Sequence, residues 1–217
     1  MRSACTNSSS SGGRWEGVTH QAEALDASLI ITGTRGAGFF HGMLVGATAE
    51  RIAKRSACPV LMVRQSPREA YRRVLVPVDF SSSSLAAIEL ALLVAPQATL
   101  VLMHALELPF AAKLTLGGAD PGVFTRCREA ARIEAVQRLH ELAAAAGLAP
   151  AQLRTATPDG ADPWMLIVQQ ELEHDCDLVV IGRQGRHVVD EWLLGSTTRM
   201  VMWECTGDVL VVSRPAA

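Results

Sequence analysis

Two stretches of the chain carry the same glycine triplet at the same spacing, first as Gly33, Gly36 and Gly46 and again as Gly182, Gly185 and Gly195. In both, two residues separate the first pair and nine separate the second glycine from the third. The stretches superpose without a gap at an offset of 149 residues, so that Asp26 matches Asp175, the run 29–32 matches 178–181, and 60–63 matches 209–212. That offset is close to the length of a whole domain and far beyond a solenoid repeat, so the duplicated unit is a domain. With 217 residues in all and only 32 ahead of Gly33, the first copy carries the C-terminal half of the unit only.

The second copy reads almost in full. Residues 73–79 form a β-branched, apolar run that ends in Asp79, and the serines at 81–84 offer caps to a helix spaced over 85–94. Pro96 breaks that helix, and 99–105 makes a second apolar strand ending at Ala105. Residues 108–123, with three glycines and two prolines, read as a loop, and 125–146 as a long helix stopped by Gly147 and Pro150. A weaker strand over 153–157 follows. Asp162 and Pro163 then open a helix to about 174, 177–181 is the fourth strand, 196–204 the last helix and 208–213 the last strand. Strands that are apolar throughout and alternate with helices predict a parallel sheet covered on both faces. The expectation is an α/β unit with a five-stranded doubly wound parallel sheet over 72–214, preceded by a partial copy over 16–66 and a disordered tail over 1–15. The partial copy should hold helices at 17–25 and 47–55 and strands at 29–32 and 59–63, with apolar surface left uncovered. Its last strand, 60–63, should pair antiparallel with 209–212 about a pseudo-twofold axis.

Composition narrows the functional classes. A formal charge of −2 and no basic stripe argue against nucleic acid as a partner. The longest apolar stretches, 85–95 and 98–106, are too short for a bilayer and are interrupted by Glu89 and His104, so no membrane segment is expected. The tail lacks the apolar core of a secretory signal. Five cysteines, an odd number with no Cys-x-x-Cys pair, point to neither a disulfide framework nor a zinc site, and fit a reducing cytoplasm.

The chemistry of the triplet is that of anion capture. Gly182 and Gly185 lack a Cβ, which lets the chain turn with positive φ and come close to a phosphate; Ser196 and Thr197 at a helix start add hydroxyls, open amides and the positive end of the helix dipole. In a doubly wound sheet the ligand crevice lies beyond the carboxyl ends of the strands where the winding reverses. Pro77, Val78 and Asp79 at the end of the first strand, and Ala105 at the end of the second, belong to that rim. Asp79 would repel phosphate, but it can accept from ribose hydroxyls or orient the base edge; its plain alternative is a cap for the next helix. Arg183 and Arg186 are candidates to add charge beside the phosphates, their alternative being solvated side chains. His104 reads as a hydrogen-bonded histidine at the sheet end, and Asp190 and Glu191 as a solvated loop. In the first copy Gly33, Gly36, Gly46 and Thr48 persist, Ala47 stands where the second copy has Ser196, and no strand ending in an acid precedes them, so its pocket should be incomplete.

Residues 74–79 with Asp79, and the motif from Gly182 to Ser196, resemble the universal stress proteins and their ATP-binding branch; the resemblance runs over 72–214 and, for the first copy, about 16–65. It implies an adenine nucleotide alpha hydrolase-like fold, an adenine-side role for Asp79, and a pocket for ATP, ADP or another adenylate, with or without Mg. It further implies pairing through the last strands, as a homo-oligomer or as a pseudo-dimer within one chain, and a stress-survival role with little catalysis. Two other readings remain open: an ATP-dependent ligase, phosphotransferase or weak ATPase, and a nucleotide-free dimeric scaffold. The first lacks a Lys-Ser/Thr step after the glycine loop and a positioned general base.

Overall fold

The structure is a computed structural model that describes residues 13–34, 46–64, 69–106, 121–185 and 194–213. The strands are β1 (Ile30–Gly33), β2 (Val60–Val63), β3 (Arg73–Pro77), β4 (Thr99–Met103), β5 (Leu153–Ala156), β6 (Leu178–Gly182) and β7 (Asp208–Val212). The helices are α1 (Arg14–Ala24), α2 (Ala47–Arg55), α3 (Ser82–Val94), α4 (Pro121–Ala145), α5 (Pro163–Glu173) and α6 (Ser196–Glu204). α1 begins two residues inside the segment assigned to the tail, whose residues 1–12 lie outside the described ones, as do most of the loop expected over 108–123 and residues 35–45 and 186–193.

All seven strands join one sheet in the order β1-β2-β7-β6-β3-β4-β5. The expected doubly wound unit is present as β7-β6-β3-β4-β5, every pair parallel. The N-terminal unit does not stand apart from it but extends the same sheet. β2 runs antiparallel to β7, with Val60 opposite Val211 and Met62 opposite Val209, so the two last strands pair inside one chain as their duplicated sequences predict. β1, parallel to β2, ends the sheet.

The duplication extends to local backbone. Asp26 and Asp175 hold matching left-handed conformations at φ 48° and 49°, each in the turn that leads from a helix into a strand. Gly46 and Gly195 are matching extended N-caps, and their amides donate to the carbonyls of Thr34 and Arg183, which are themselves duplicate positions. Gly147 ends α4 at φ +74°, the left-handed stop that glycine takes without steric cost.

Strand alternation sends side chains to two apolar layers. On one face Leu75, Val101, Val179, Val209 and Met62 pack with α1, α2, α5 and α6; on the other Val74, Val76, Leu100, Leu178 and Leu210 pack with α3 and α4. Both helices of the N-terminal unit lie on the first face. Ile30 is therefore buried at 8% exposure while its neighbour Ile31, pointing the other way, is 58% exposed.

Charged groups bind the seam between the units. Arg64 follows β2 and reaches the carbonyl of Met202 in the last turn of α6, and Arg183 follows β6 and donates to the carbonyl of Ser56 at the end of α2 (2.8 Å). Each guanidinium meets the negative end of a helix in the opposite unit. Asp208 accepts from the Arg64 amide (2.8 Å) and the Tyr71 hydroxyl (2.6 Å), which fixes the linker against the first residue of β7.

Burial, followed by the negative charges of Asp177 and Glu171, pushes the Cys176 thiol up from 9.0 to about 12. A group raised in the folded state contributes stability that is complete below its unfolded pKa and is lost as pH climbs through its folded one. The melting temperature should therefore fall between about pH 9 and pH 12, and Cys176→Val should flatten that decline in thermal melts across the range. Parallel declines in both proteins would show that the thiol plays no part.

Candidate functional site

The winding reverses between β3 and β6, which pair through Val74 with Leu178 and Leu75 with Val179. Strands that diverge toward opposite flanking helices leave a gap beyond their carboxyl ends. There the structure holds a cavity of about 340 Å³, within the range of roughly 300–1,000 Å³ usual for small-molecule sites. Of the expected rim, Pro77, Val78, Asp79, Ala105, Gly182, Gly185, Gly195, Ser196 and Thr197 all line it.

One wall is the β3–α3 turn. Asp79 Oδ1 accepts from the Ser81 amide (3.0 Å), the Ser81 hydroxyl (2.5 Å) and the Ser84 hydroxyl (2.8 Å). The N-cap of α3 is Ser81 and not Asp79, but this oxygen holds the N-cap residue and Ser84 in place. The other oxygen faces the glycine loop, since a Cβ placed on Gly185 would sit 3.6 Å from Oδ2. The two oxygens of the carboxylate thus face different neighbours, Oδ1 the start of α3 and Oδ2 the glycine loop. Phe80, next along, adopts φ 60°, a left-handed conformation costly for a bulky side chain and held by its surroundings. Its ring packs on His104 at 4.4 Å between centroids, and the Arg138 guanidinium carbon lies 3.9 Å above it. His104 Nδ1 is 2.7 Å from the Val78 carbonyl; because a carbonyl only accepts, that nitrogen carries the proton. His104 is the sheet-end histidine expected, and it also lines the cavity.

The facing wall is the glycine loop and the start of α6. Gly195 is the N-cap and brings no side-chain acceptor, so the first-turn amides beside Ser196 and Thr197 receive none from it. The Thr198 hydroxyl donates to the Gly182 carbonyl (2.8 Å), tying that helix start to the end of β6. One expectation needs correction here: neither Gly182 nor Gly185 uses the positive φ that its missing Cβ allows, and Gly195 is extended. Their contribution is space. A Cβ on Gly182 would lie 3.3 Å from the Gln184 carbonyl oxygen and 3.4 Å from Ser83 Cβ, and one on Gly195 3.4 Å from the Arg183 carbonyl oxygen.

A second correction concerns Arg183. It is absent from the cavity wall, and its side chain crosses the seam to Ser56 instead of facing the crevice. Arg186, Gly36, Asp190 and Glu191 lie outside the described residues. In the first copy Gly33 ends β1, Gly46 caps α2, and Thr48 is exposed in its first turn. Among the described residues no strand flanks the outer edge of β1, the place that β3 with its Asp79 holds beside β6 in the second unit. The site also recruits residues that the sequence reading passed over: Ser83, Ser84, Met103, Pro163, Ile167 and Gln184. Pro163 opens a helix after a strand, which puts it at the carboxyl edge of the sheet; that signal was present in the chain.

A switch-point crevice between an acid-tipped strand and a glycine loop capping a helix defines an α/β protein of the doubly wound class. The universal stress protein family model matches residues 10–64 and 70–213, and the chain belongs to that family. Among solved structures it is similar to a putative universal stress protein from Pseudomonas aeruginosa UCBPP-PA14, at 21% identity and a TM-score of 0.66, over 93% of this chain and 68% of that one. A universal stress protein from Archaeoglobus fulgidus DSM 4304 aligns at 23% identity and a TM-score of 0.60, over 92% of this chain and 65% of its own. The universal stress protein UspA from Lactobacillus plantarum aligns at 25% identity and a TM-score of 0.52, with 67% of this chain spanning 99% of that shorter one. A comparison with curated proteins returns no match.

Proposed function

We propose that the protein is a cytoplasmic stress-response protein that binds ATP or a related adenylate at the β3–β6 switch point and acts as a regulatory binder. The observation that carries this reading is the meeting, across one cavity, of the Asp79 carboxylate with the glycine loop and the start of α6. The phosphates would lie against the amides and hydroxyls of Gly195, Ser196 and Thr197, where the helix dipole favours negative charge. The ribose and base would lie toward Asp79 and Ala105, away from phosphate charge. Isothermal titration with ATP and ADP, each with and without Mg, tests the reading; the absence of binding heat at millimolar nucleotide would defeat it.

The crevice is built to hold rather than to cleave. Asp79 spends one oxygen on three hydrogen bonds and His104 one nitrogen on Val78, which is poor preparation for activating water. Phosphate release from ATP is expected to stay far below the usual enzyme range of about 1–10³ per second. Rapid Mg-dependent release would favour the enzyme reading.

A further inference from the structure

We propose that Arg183 is a positioning residue through which the N-terminal unit sets the shape of the nucleotide crevice in the C-terminal unit; this rests on the reading of that crevice as an adenylate site. The main chain of Arg183 joins the end of β7 to the N-cap of α6. Its amide donates to the Val212 carbonyl (2.9 Å), and its own carbonyl accepts from the Gly195 amide (2.9 Å). Gly195 is the N-cap of α6, so the position of Arg183 decides where the amides of Ser196 and Thr197 point.

The side chain of the same residue is anchored in the other unit. Nη1 donates to the Ser56 carbonyl (2.8 Å), and Ser56 is buried at 1% exposure as the C-cap of α2. The Ser213 hydroxyl, just beyond β7, holds the same turn through the carbonyls of Ser56 (3.3 Å) and Cys58 (3.0 Å). α2 therefore touches a glycine loop at either end: its N-cap Gly46 donates to Thr34 in the first, and its C-cap accepts from Arg183 in the second.

The duplicate position separates these two roles. Thr34 makes the same main-chain bonds as Arg183, to the Val63 carbonyl (3.2 Å) and from the Gly46 amide (3.0 Å). A threonine hydroxyl lies one bond from Cβ and has no reach across the seam. The loop geometry belongs to both copies, whereas a cross-unit anchor from this loop position belongs to the copy with the complete crevice; the first copy's own cross-unit arginine, Arg64, follows β2 and lies outside its glycine loop. A residue needed only to shape the loop would not have to be an arginine.

The test is isothermal titration of ATP into the wild-type chain, Arg183→Met and Arg183→Lys, well below their melting points, with hydrogen exchange followed at 47–58 and 194–198. Arg183→Met is expected to weaken ATP binding by about tenfold, within the range of about 5–150-fold typical of coupled sites, and Arg183→Lys by less. Even without nucleotide, exchange at 194–198 should rise in Arg183→Met. ATP should slow exchange at 47–58 in the wild type and leave it unchanged in Arg183→Met. If Arg183→Met does not fold, Arg183→Lys carries the same comparison. Binding within twofold of the wild type, with unchanged exchange at 194–198, overturns the inference while the nucleotide reading stands. A wild type that binds no ATP overturns both.

Discussion

Gly185→Leu is expected to abolish the stabilisation that ATP gives the folded chain while leaving the fold itself intact. A ligand at a hundredfold excess over its Kd stabilises by about 2.7 kcal/mol. In a protein of this size each kcal/mol moves the midpoint by roughly 2–4 °C, so the wild type should gain about 5–11 °C in a thermal melt. Gly185 is exposed, at the mouth of the crevice, and a Cβ there would stand 3.6 Å from Asp79 Oδ2. A leucine would occupy the space between the carboxylate and the loop without entering the core. An unliganded melting point close to the wild type's, together with a flat response to ATP, is the expected pair of results. A variant that still responds in full would show that the nucleotide lies elsewhere.

Glu171→Leu should destabilise the chain by about 3 kcal/mol, because it leaves the buried Gly207 amide and the part-buried Thr206 amide without their acceptor. Glu171 on α5 is 1% exposed and accepts from the Thr206 amide (2.9 Å), the Thr206 hydroxyl (3.2 Å) and the Gly207 amide (2.6 Å). It thereby clamps the turn between α6 and β7. The site is also sterically closed, since a Cβ on Gly207 would meet the Asp177 carbonyl oxygen at 2.9 Å. Glu171→Gln keeps an acceptor and should cost much less than the leucine variant. Equal denaturant midpoints for the leucine variant and the wild type would show that water satisfies the turn.

The order of strands and helices in the C-terminal unit was legible because each apolar run is bounded by its own stop: Asp79 after β3, Gly147 after α4, Pro163 before α5. The seam was legible as well, since duplicated last strands present like edges that a twofold relation can pair. Three features of the site were not. The glycine spacing carries no φ, so it could not tell whether a missing Cβ serves positive φ or close approach, and the structure uses the space alone. The direction of Arg183 depends on a carbonyl 127 residues away, in the other copy, which local sequence cannot register. The engagement of Asp79 with the start of α3 required knowing that Ser84, five residues on, returns its hydroxyl to the same carboxylate.

The antiparallel contact of β2 with β7 joins two halves that share one polypeptide. Separate subunits meeting through such a seam would come apart on dilution, and their behaviour would track their abundance. Here the partner half arrives at fixed local concentration whatever the copy number, so any message passing across the seam is read at the level of the single molecule.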